Sequence, residues 1–197
     1  SPLGAYYASR VFAKEAGVPY KSLEAYDKKV IRSYVGSMYG YSKDISVKNA
    51  PEDFVYYVPK DSSYITEYTR FKINSSYKIE GEYPTEKGSF FYKYPDGSPS
   101  AYCTYMGSDG RITKVTTNVN NGRRLLVLKD SFGNLIPSYL FSSFEQIFVV
   151  DFRYFNRSIK KMVRENKVTD ILFANALSLS ISGDRAGNCY LRMINAD

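Results

Sequence analysis

The sequence predicts an α/β fold in which a parallel sheet with flanking helices carries an inserted antiparallel β lobe. Residues 123–174 alternate apolar strand-like runs with helical patterns, the order that produces right-handed crossovers and a parallel sheet. Residues 39–120 instead contain short β-rich runs separated by turns. The chain has 197 residues, enough for one α/β domain with such an insertion.

Residues 1–38 are predicted to form the helical beginning of the α/β domain. Ser1 suits the N-cap of a helix and Pro2 suits its first position. A second helical stretch is predicted at residues 22–34. Its apolar residues are less periodic, so the alternative is a strand that begins at Val30-Ile31.

Residues 39–120 are predicted to form the β lobe, which is rich in tyrosine. Turn sequences such as Pro95-Asp96-Gly97 separate its β-rich runs. Strands are predicted at residues 54–58, 64–73, 77–83, 89–94, 101–106 and 112–117. A tyrosine-rich sheet can stack against sugars, but tyrosine also simply populates half-buried strand faces.

Residues 121–197 are predicted to form the βαβαβ part of the α/β domain. The run Leu125-Leu126-Val127-Leu128 is continuously apolar, as in a strand buried on both faces of a parallel sheet. The elements predicted after it are a helix at 132–140, a strand at 146–151, a helix capped by Asn156, a strand at 170–174 and a strand or helix at 188–195. Pro137 must start or kink the first of these helices.

The composition excludes several kinds of site. The chain has no histidine, which removes the commonest general base and the commonest metal ligand. A catalytic base must therefore be Asp, Glu, Lys or Tyr, or come from outside these residues. The only cysteines, Cys103 and Cys189, show no metal-ligand spacing, and they either pair or stay free. We expect neither a metal nor a cofactor.

The charge pattern bears on partners. Lys and Arg number 27 against 20 Asp and Glu, for a net charge of +7, but the basic residues are scattered. Proteins that bind nucleic acid usually concentrate this charge on one face, so we expect no nucleic-acid partner. A mildly basic protein equally suits an anionic cell surface. No run approaches the ~20 apolar residues of a membrane span.

Polar side chains follow the three predicted parallel strands. Asp130 and Ser131 follow the first strand, Asp151 and Arg153 the second, and Asn175 the third. Ligands of open parallel sheets bind beyond the carboxyl ends of the strands. The sequence therefore predicts a functional site at this end of the sheet.

Ser131 is the candidate catalytic residue of this site. A strand-to-helix turn exposes the hydroxyl and directs backbone N–H groups toward a developing oxyanion. The alternative is that Ser131 merely caps the following helix. Asp130 is either a second N-cap or a polar residue at the strand end. Arg153 either stabilises negative charge or pairs with Asp151, and Asn175 either donates its amide to an oxyanion or caps a turn.

Several of these segments resemble a known family. The sequence Leu-Leu-Val-Leu-Lys-Asp-Ser-Phe-Gly-Asn at 125–134, Pro137 after it, and Val-Asp-Phe-Arg-Tyr at 150–154 resemble the DHHW protein family. Further segments that resemble the family are 1–8, 35–42, 53–59 and 106–109. The family is similar to the SGNH (GDSL-like) hydrolases and to the alginate O-acetyltransferase branch, which implies an SGNH-like (flavodoxin-like) parallel sheet.

The resemblance implies a mechanism and a site. Ser131 would be the nucleophile, and the base would be a histidine of the family's Asp-His-His-Trp signature, expected just ahead of Ser1. These residues alone are then expected to be inactive. The resemblance implies oxyanion or substrate contacts from Arg153, Asn175 and Gly107, with Asp130, Asp151 and Tyr154 as supporting residues.

The expected function is therefore that of the C-terminal bulk of an SGNH-like serine esterase or O-acetyltransferase. Its expected substrates are acetyl esters of a cell-envelope or extracellular carbohydrate. The intact protein is expected outside the cytoplasm, either secreted or tethered to a membrane by an N-terminal segment. The alternative is a non-catalytic carbohydrate- or envelope-binding protein on the same scaffold. The sequence predicts no particular oligomeric state.

Overall fold

The computed structural model describes residues 1–75, 79–107, 109–155, 157–177 and 193–194. Asn156, Cys189 and most of the predicted tail element at 188–195 lie outside the described residues. The predicted cap at Asn156 is wrong, because the helix that follows begins at Ile159 and its N-cap is Ser158. The redox state of the cysteine pair stays a prediction.

The N-terminal helix α1 spans Pro2–Glu15, as predicted. The hydroxyl of Ser1 accepts a hydrogen bond from the backbone N–H of Gly4 at 3.2 Å, so Ser1 is the N-cap. The helix packs beside a 3₁₀ helix at Pro137–Leu140, where Tyr139 donates its hydroxyl to the carbonyl of Pro2 at 2.9 Å. The N-terminal helix is thereby hydrogen-bonded to the segment that follows Ser131.

The predicted helix at residues 22–34 is wrong, because β1 occupies Tyr26–Tyr34. It pairs antiparallel with β2, Glu52–Pro59, and Ile31 lies opposite Phe54. That pairing buries both apolar side chains, which outweighs the weak helical periodicity. Between the strands, α2 spans Met38–Ser42 and α3 spans Ile45–Lys48, and neither short helix contains a buried residue.

The main sheet contains seven strands within the described residues, in the order β4-β3-β6-β8-β7-β9, with β5 also paired to β3. The strands are β3 at Tyr64–Ile73, β4 at Ile79–Glu82, β5 at Glu86–Gly88, β6 at Arg111–Thr117, β7 at Arg124–Lys129, β8 at Gln146–Asp151 and β9 at Asp170–Ala174. Only the pairs β7–β8 and β7–β9 are parallel among them.

The α/β class is confirmed, but the sheet is mixed and mostly antiparallel, and it is not a wholly parallel sheet with a separate lobe. Strand β6 pairs antiparallel with β8, so strands before and after residue 120 share one sheet. This pairing places Val115 opposite Ile147, and both are fully buried. Burial of these two side chains in one core explains why the sheet continues across residue 120. The domain boundaries proposed at 38/39 and 120/121 stay predictions.

Three further segments differ from their predicted structure. Residues 89–94 were expected to form a strand, but they contain no strand, and Phe91 forms an isolated β-bridge with Tyr105. Residues 101–106 were expected to form a strand, but Ala101–Thr104 is a 3₁₀ helix. Residues 132–140 form two 3₁₀ helices, Ser131–Leu135 and Pro137–Leu140. The second of these begins at Pro137, which confirms the prediction that Pro137 must start or kink the helix, since proline has no N–H to donate to the preceding turn.

Strand β7 is buried on both faces, as its apolar run predicts. One face carries Leu125 and Val127 beside Ile147 and Val149 of β8. On the other face, Leu126 and Leu128 lie in a cluster with Phe148, Val150, and Ile159 and Met162 of α4, which spans Ile159–Glu165. No helix in the described ranges is long and apolar enough to cross a membrane.

Candidate functional site

The parallel register brings the polar residues of three strands to one end of the sheet. Lys129 of β7 lies opposite Asp151 of β8 and opposite Ala174 of β9. The residues that follow these positions therefore leave the sheet side by side. This is the edge at which the sequence predicts the site.

Ser131 begins the 3₁₀ helix after β7, but it does not cap that helix. The N-cap is Asp130, whose Oδ1 accepts a hydrogen bond from the N–H of Phe132 at 2.8 Å. Within the described part of the chain, the hydroxyl of Ser131 makes no hydrogen bond. Its carbonyl accepts a hydrogen bond from the hydroxyl of Tyr102 at 2.7 Å. The backbone of Ser131 is therefore held while its half-buried hydroxyl stays available.

Asp130 has a structural position. It is 1% exposed, and its second oxygen, Oδ2, accepts a hydrogen bond from the N–H of Ala176 at 2.8 Å. Both carboxylate oxygens thus accept hydrogen bonds from backbone N–H groups, one in the loop that follows β7 and one in the loop that follows β9. Asp130 links the loop of Ser131 to the loop that follows β9, and it is not free to act as a base for Ser131.

A buried lysine lies beneath this turn, and the sequence did not single it out. Lys129 is 3% exposed, and its Nζ lies 2.7 Å from Oδ1 of Asp109 and 3.2 Å from Oδ2 of Asp151. A buried charge is tolerated only when it is paired and hydrogen-bonded. Lys129 therefore depends on two carboxylates that come from different parts of the chain.

Arg153 shares both carboxylates with Lys129. Its Nε and Nη2 contact the two oxygens of Asp151 at 2.8 and 2.6 Å, and Nη2 also lies 3.0 Å from Oδ2 of Asp109. Hydrogen bonding to Asp151 is the main cause that raises the pKa of Arg153. The predicted pair with Asp151 is confirmed. The ring of Tyr154 supports the same guanidinium, with its centroid 5.5 Å from Cζ.

Asp109 is the residue on which this network converges. Besides Lys129 and Arg153, it accepts a hydrogen bond from Nδ2 of Asn134 at 3.0 Å. Burial acts to raise the pKa of Asp109, but the charge of Lys129 and the hydrogen bonds outweigh it and hold the pKa below its ordinary value.

The lowered pKa of Asp109 predicts a pH dependence of stability. The ionised form is favoured by folding, so its contribution is present above the unfolded pKa of about 4 and is lost as pH falls through the lower folded value. We expect Asp109→Asn to be less stable than the wild type at pH 7. The difference should shrink as pH falls below about 4 in urea unfolding. A difference that stays constant to pH 2 would contradict an ionised, paired Asp109.

The remaining predicted residues have less direct positions. Gly107 has φ +77° in a turn, and its N–H donates to the carbonyl of Cys103 at 3.1 Å, so that N–H is already used. Asn175 follows β9 at the same end of the sheet and is half-buried. No three histidine, cysteine, aspartate or glutamate side chains of the described residues form a possible metal site.

Lys129, Asp109 and Asn134 are the site residues that the sequence prediction missed. One signal pointed to Lys129: it is the last residue of a strand predicted to be buried on both faces, and a charge in that position requires a partner. Asp109 lies 20 residues earlier, in the segment 106–109 that resembles the DHHW family, but no pattern in the sequence indicated its contact with Lys129.

Comparison with known proteins assigns the family. The DHHW protein family model matches residues 1–150. The chain belongs to the DHHW protein family. A crystal structure of a DHHW family protein from Eubacterium siraeum is similar to this chain, with 34% identity and a TM-score of 0.83. The similarity covers 99% of this chain and 62% of that protein, so this DHHW chain spans less than two thirds of its relative's length.

More distant structures share the fold. PatB1 of Bacillus cereus, in a structure with a sulfonyl adduct, is 21% identical, with a TM-score of 0.66 over 89% of this chain and 56% of PatB1. A second PatB1 structure gives a TM-score of 0.64 at the same identity over 89% of this chain and 58% of that one. No curated protein matches the sequence.

Proposed function

We propose that this DHHW protein carries the nucleophile of an SGNH-like serine esterase or O-acetyltransferase. Its proposed substrates are acetyl esters of a cell-envelope or extracellular carbohydrate. The observation that carries the proposal is the hydroxyl of Ser131, which has no hydrogen-bond partner among the described residues and lies at the carboxyl end of three adjacent parallel strands. The neighbouring Asp130 performs the capping role that would otherwise account for a serine here.

The proposed step is acyl transfer to Ser131. The hydroxyl oxygen attacks the ester carbonyl carbon, its proton goes to a base, and the sugar oxygen leaves with a proton. Water or a second sugar hydroxyl then takes the acyl group, and this acceptor decides between hydrolase and transferase.

The base must come from outside the network described above. Asp130, Asp109 and Asp151 each accept hydrogen bonds with both carboxylate oxygens, and the chain has no histidine. We therefore propose that the histidine of the family's Asp-His-His-Trp signature serves as the base, although that signature is absent from these 197 residues.

Two groups support an oxyanion contact at this site. Ser131 is the first residue of a 3₁₀ helix, so its backbone N–H has no partner within the helix. Arg153 is the second group, because its side chain is 37% exposed and its Nη1 has no partner among the described residues. PatB1 shares the fold, and one of its structures contains a sulfonyl adduct. Sulfonyl reagents attach to activated nucleophiles, so this adduct is consistent with a nucleophile on this fold.

The decisive test is hydrolysis of an aryl acetate by the full-length protein and by Ser131→Ala. We expect kcat/KM to fall at least ~10³-fold, because the nucleophile is lost. Ser158→Ala is the matched control. Ser158 also precedes a helix, but its hydroxyl accepts from the N–H of Lys161 at 3.2 Å, so only about 1 kcal/mol of stability should be lost. Equal rates for the wild type and Ser131→Ala would overturn the proposal.

A non-catalytic carbohydrate-binding protein is the second candidate, and one observation favours it: no described side chain contacts the hydroxyl of Ser131 as a base. The two candidates differ in reactivity. An enzyme should be modified at Ser131 by an arylsulfonyl fluoride, as seen by intact mass, whereas a binding protein should bind glycan without modification. For either candidate we propose an extracytoplasmic location and a carbohydrate or acylated envelope polymer as partner.

A further inference from the structure

We propose that Asp109 is a positioning residue of this site, which orients the guanidinium of Arg153 and fixes the turn that carries Ser131. This inference rests on the proposed function, because it assigns Asp109 a task in the same reaction. Asp109 touches neither the hydroxyl of Ser131 nor any reacting atom, so its effect must pass through other side chains.

The sheet topology explains how Asp109 reaches the site. It precedes β6, and Ile112 of β6 lies opposite Val150 of β8 in the antiparallel pair. The beginning of β6 therefore lies at the same edge as the carboxyl ends of β7 and β8. Asp109 thus comes from the antiparallel part of the sheet but lies at the carboxyl ends of the parallel strands β7 and β8.

The two oxygens of Asp109 divide their contacts in a definite way. Oδ1 accepts from Nζ of Lys129 at 2.7 Å and from Nδ2 of Asn134 at 3.0 Å. These donors lie two residues before and three residues after Ser131, so one oxygen holds both sides of the turn. Oδ2 accepts from Nη2 of Arg153 at 3.0 Å. One carboxylate thus couples the position of the turn to the position of the guanidinium.

The contacts of Asn134 indicate positioning more than optimised stability. The residue is 6% exposed, and its amide must direct Nδ2 toward Asp109, because a carboxylate accepts but does not donate. Its carbonyl Oδ1 is then buried without a hydrogen-bond partner in the described part of the chain. Leaving a buried acceptor unpaired costs stability, so the retained contact with Asp109 calls for another explanation.

Asp109 also completes the restraint on Arg153. Asp151 contacts Nε and Nη2 along one edge of the guanidinium, and Asp109 contacts Nη2 from a second direction. With two acceptors on Nη2, rotation about the Cζ–Nη2 bond must break a charge-assisted hydrogen bond. Nη1 contacts neither carboxylate, so it is the guanidinium nitrogen that we assign to a substrate oxygen.

The test compares the full-length protein with Asp109→Asn in two measurements. We expect kcat on an aryl acetate to fall about 10- to 100-fold with KM changed less than about threefold, since misplacement of a group that acts in the transition state lowers kcat. In ¹⁵N-resolved NMR of arginine guanidinium groups, assigned with Arg153→Lys, rotation of the Nη2 group should accelerate at least about tenfold, because one acceptor is lost.

Asp170→Asn is the matched control for an aspartate that merely holds an arginine. Asp170 accepts from Nε and Nη2 of Arg123 at the opposite end of the parallel strands, and its pKa is also lowered. This variant should lower the urea midpoint while kcat and the Arg153 signals remain unchanged. Equal loss of kcat in both variants would reduce Asp109 to a stabilising residue.

The outcomes separate this inference from the proposed function. If Ser131→Ala loses activity while Asp109→Asn keeps both its kcat and slow Nη2 rotation, the positioning role is overturned and the proposed function stands. If Ser131→Ala keeps full activity, the proposed function and the catalytic part of this inference both fail. The NMR measurement then still reports whether Asp109 restrains Arg153.

Discussion

Lys129→Met is expected to lower the free energy of unfolding by about 3–5 kcal/mol, because removal of one cation from a buried ion cluster leaves one negative charge in excess. Arg153 alone then faces both carboxylates, Asp109 and Asp151. Lys129 is 3% exposed and Asp151 is fully buried, so water cannot replace the ammonium group. Methionine matches the length of the lysine stem, and the loss therefore reports the charge more than the volume. Urea unfolding at pH 7, followed by circular dichroism, measures the difference.

Two comparisons make this expectation sharp. Lys114→Met removes a lysine that pairs with Glu67 at 3.4 Å, but the two side chains are 38% and 30% exposed, so the loss should be under about 1 kcal/mol. The double variant Lys129→Met with Asp109→Asn should be less destabilised than the sum of the single variants by about 1–3 kcal/mol, since it also removes the excess negative charge. A loss under about 1 kcal/mol in Lys129→Met would mean that water or Arg153 already compensates both carboxylates.

The parallel strands were the most predictable part of this fold. Gln146–Asp151 and Asp170–Ala174 have the bounds that the sequence predicts, and β7 differs from its apolar run by a single residue at each end. Strands β7 and β8 are buried on both faces, so each has a continuous apolar run that marks its bounds directly, whereas β9 is exposed at Ile171 and Phe173. The helix at Pro2–Glu15 was predictable for a different reason, since the Ser-Pro opening is a local capping signal.

The connectivity between strands was not predictable from these local patterns. Nothing in the residues of β6 shows that it pairs with β8, because alternating burial looks the same in a separate lobe and in an extension of the main sheet. The helix expected at residues 22–34 failed for a related reason. Val30 and Ile31 favour β structure only weakly by themselves, and the strand β2 that buries Ile31 begins more than 20 residues later.

The candidate site follows the same division between local and distant signals. Ser131 and Arg153 were found because each follows a recognisable strand end. Asp109 was missed because its role depends on the unpredicted pairing of β6 with β8. The charges of Lys129 and Arg153 are balanced by Asp109 and Asp151, so the network presents no net positive charge. Such a network suits hydrogen bonding to a neutral ester or a transient oxyanion better than the capture of a polyanion.

Gly133→Ala is expected to destabilise the protein by about 3 kcal/mol, because an added methyl group has no space beside two strands. A Cβ atom at this position would lie 2.6 Å from the carbonyl oxygen of Ala174 and 2.6 Å from Cβ of Lys129. Gly133 is not in the left-handed region, so the constraint is space and not backbone conformation. Urea unfolding measures the loss of stability.

Gly133→Ala should also displace residues of the candidate site, because the added methyl group clashes with the backbone carbonyl of Ala174, which cannot rotate away. Relief requires the 3₁₀ helix at Ser131–Leu135 to move from β9, which strains the 2.8 Å hydrogen bond between Asp130 and Ala176 and displaces Ser131. Gly40→Ala is the control: no atom lies within 4 Å of its added methyl group in α2, so stability should stay unchanged or rise by up to about 1 kcal/mol. A Gly133→Ala variant as stable as Gly40→Ala would show that β9 and the turn of Ser131 are not in close contact.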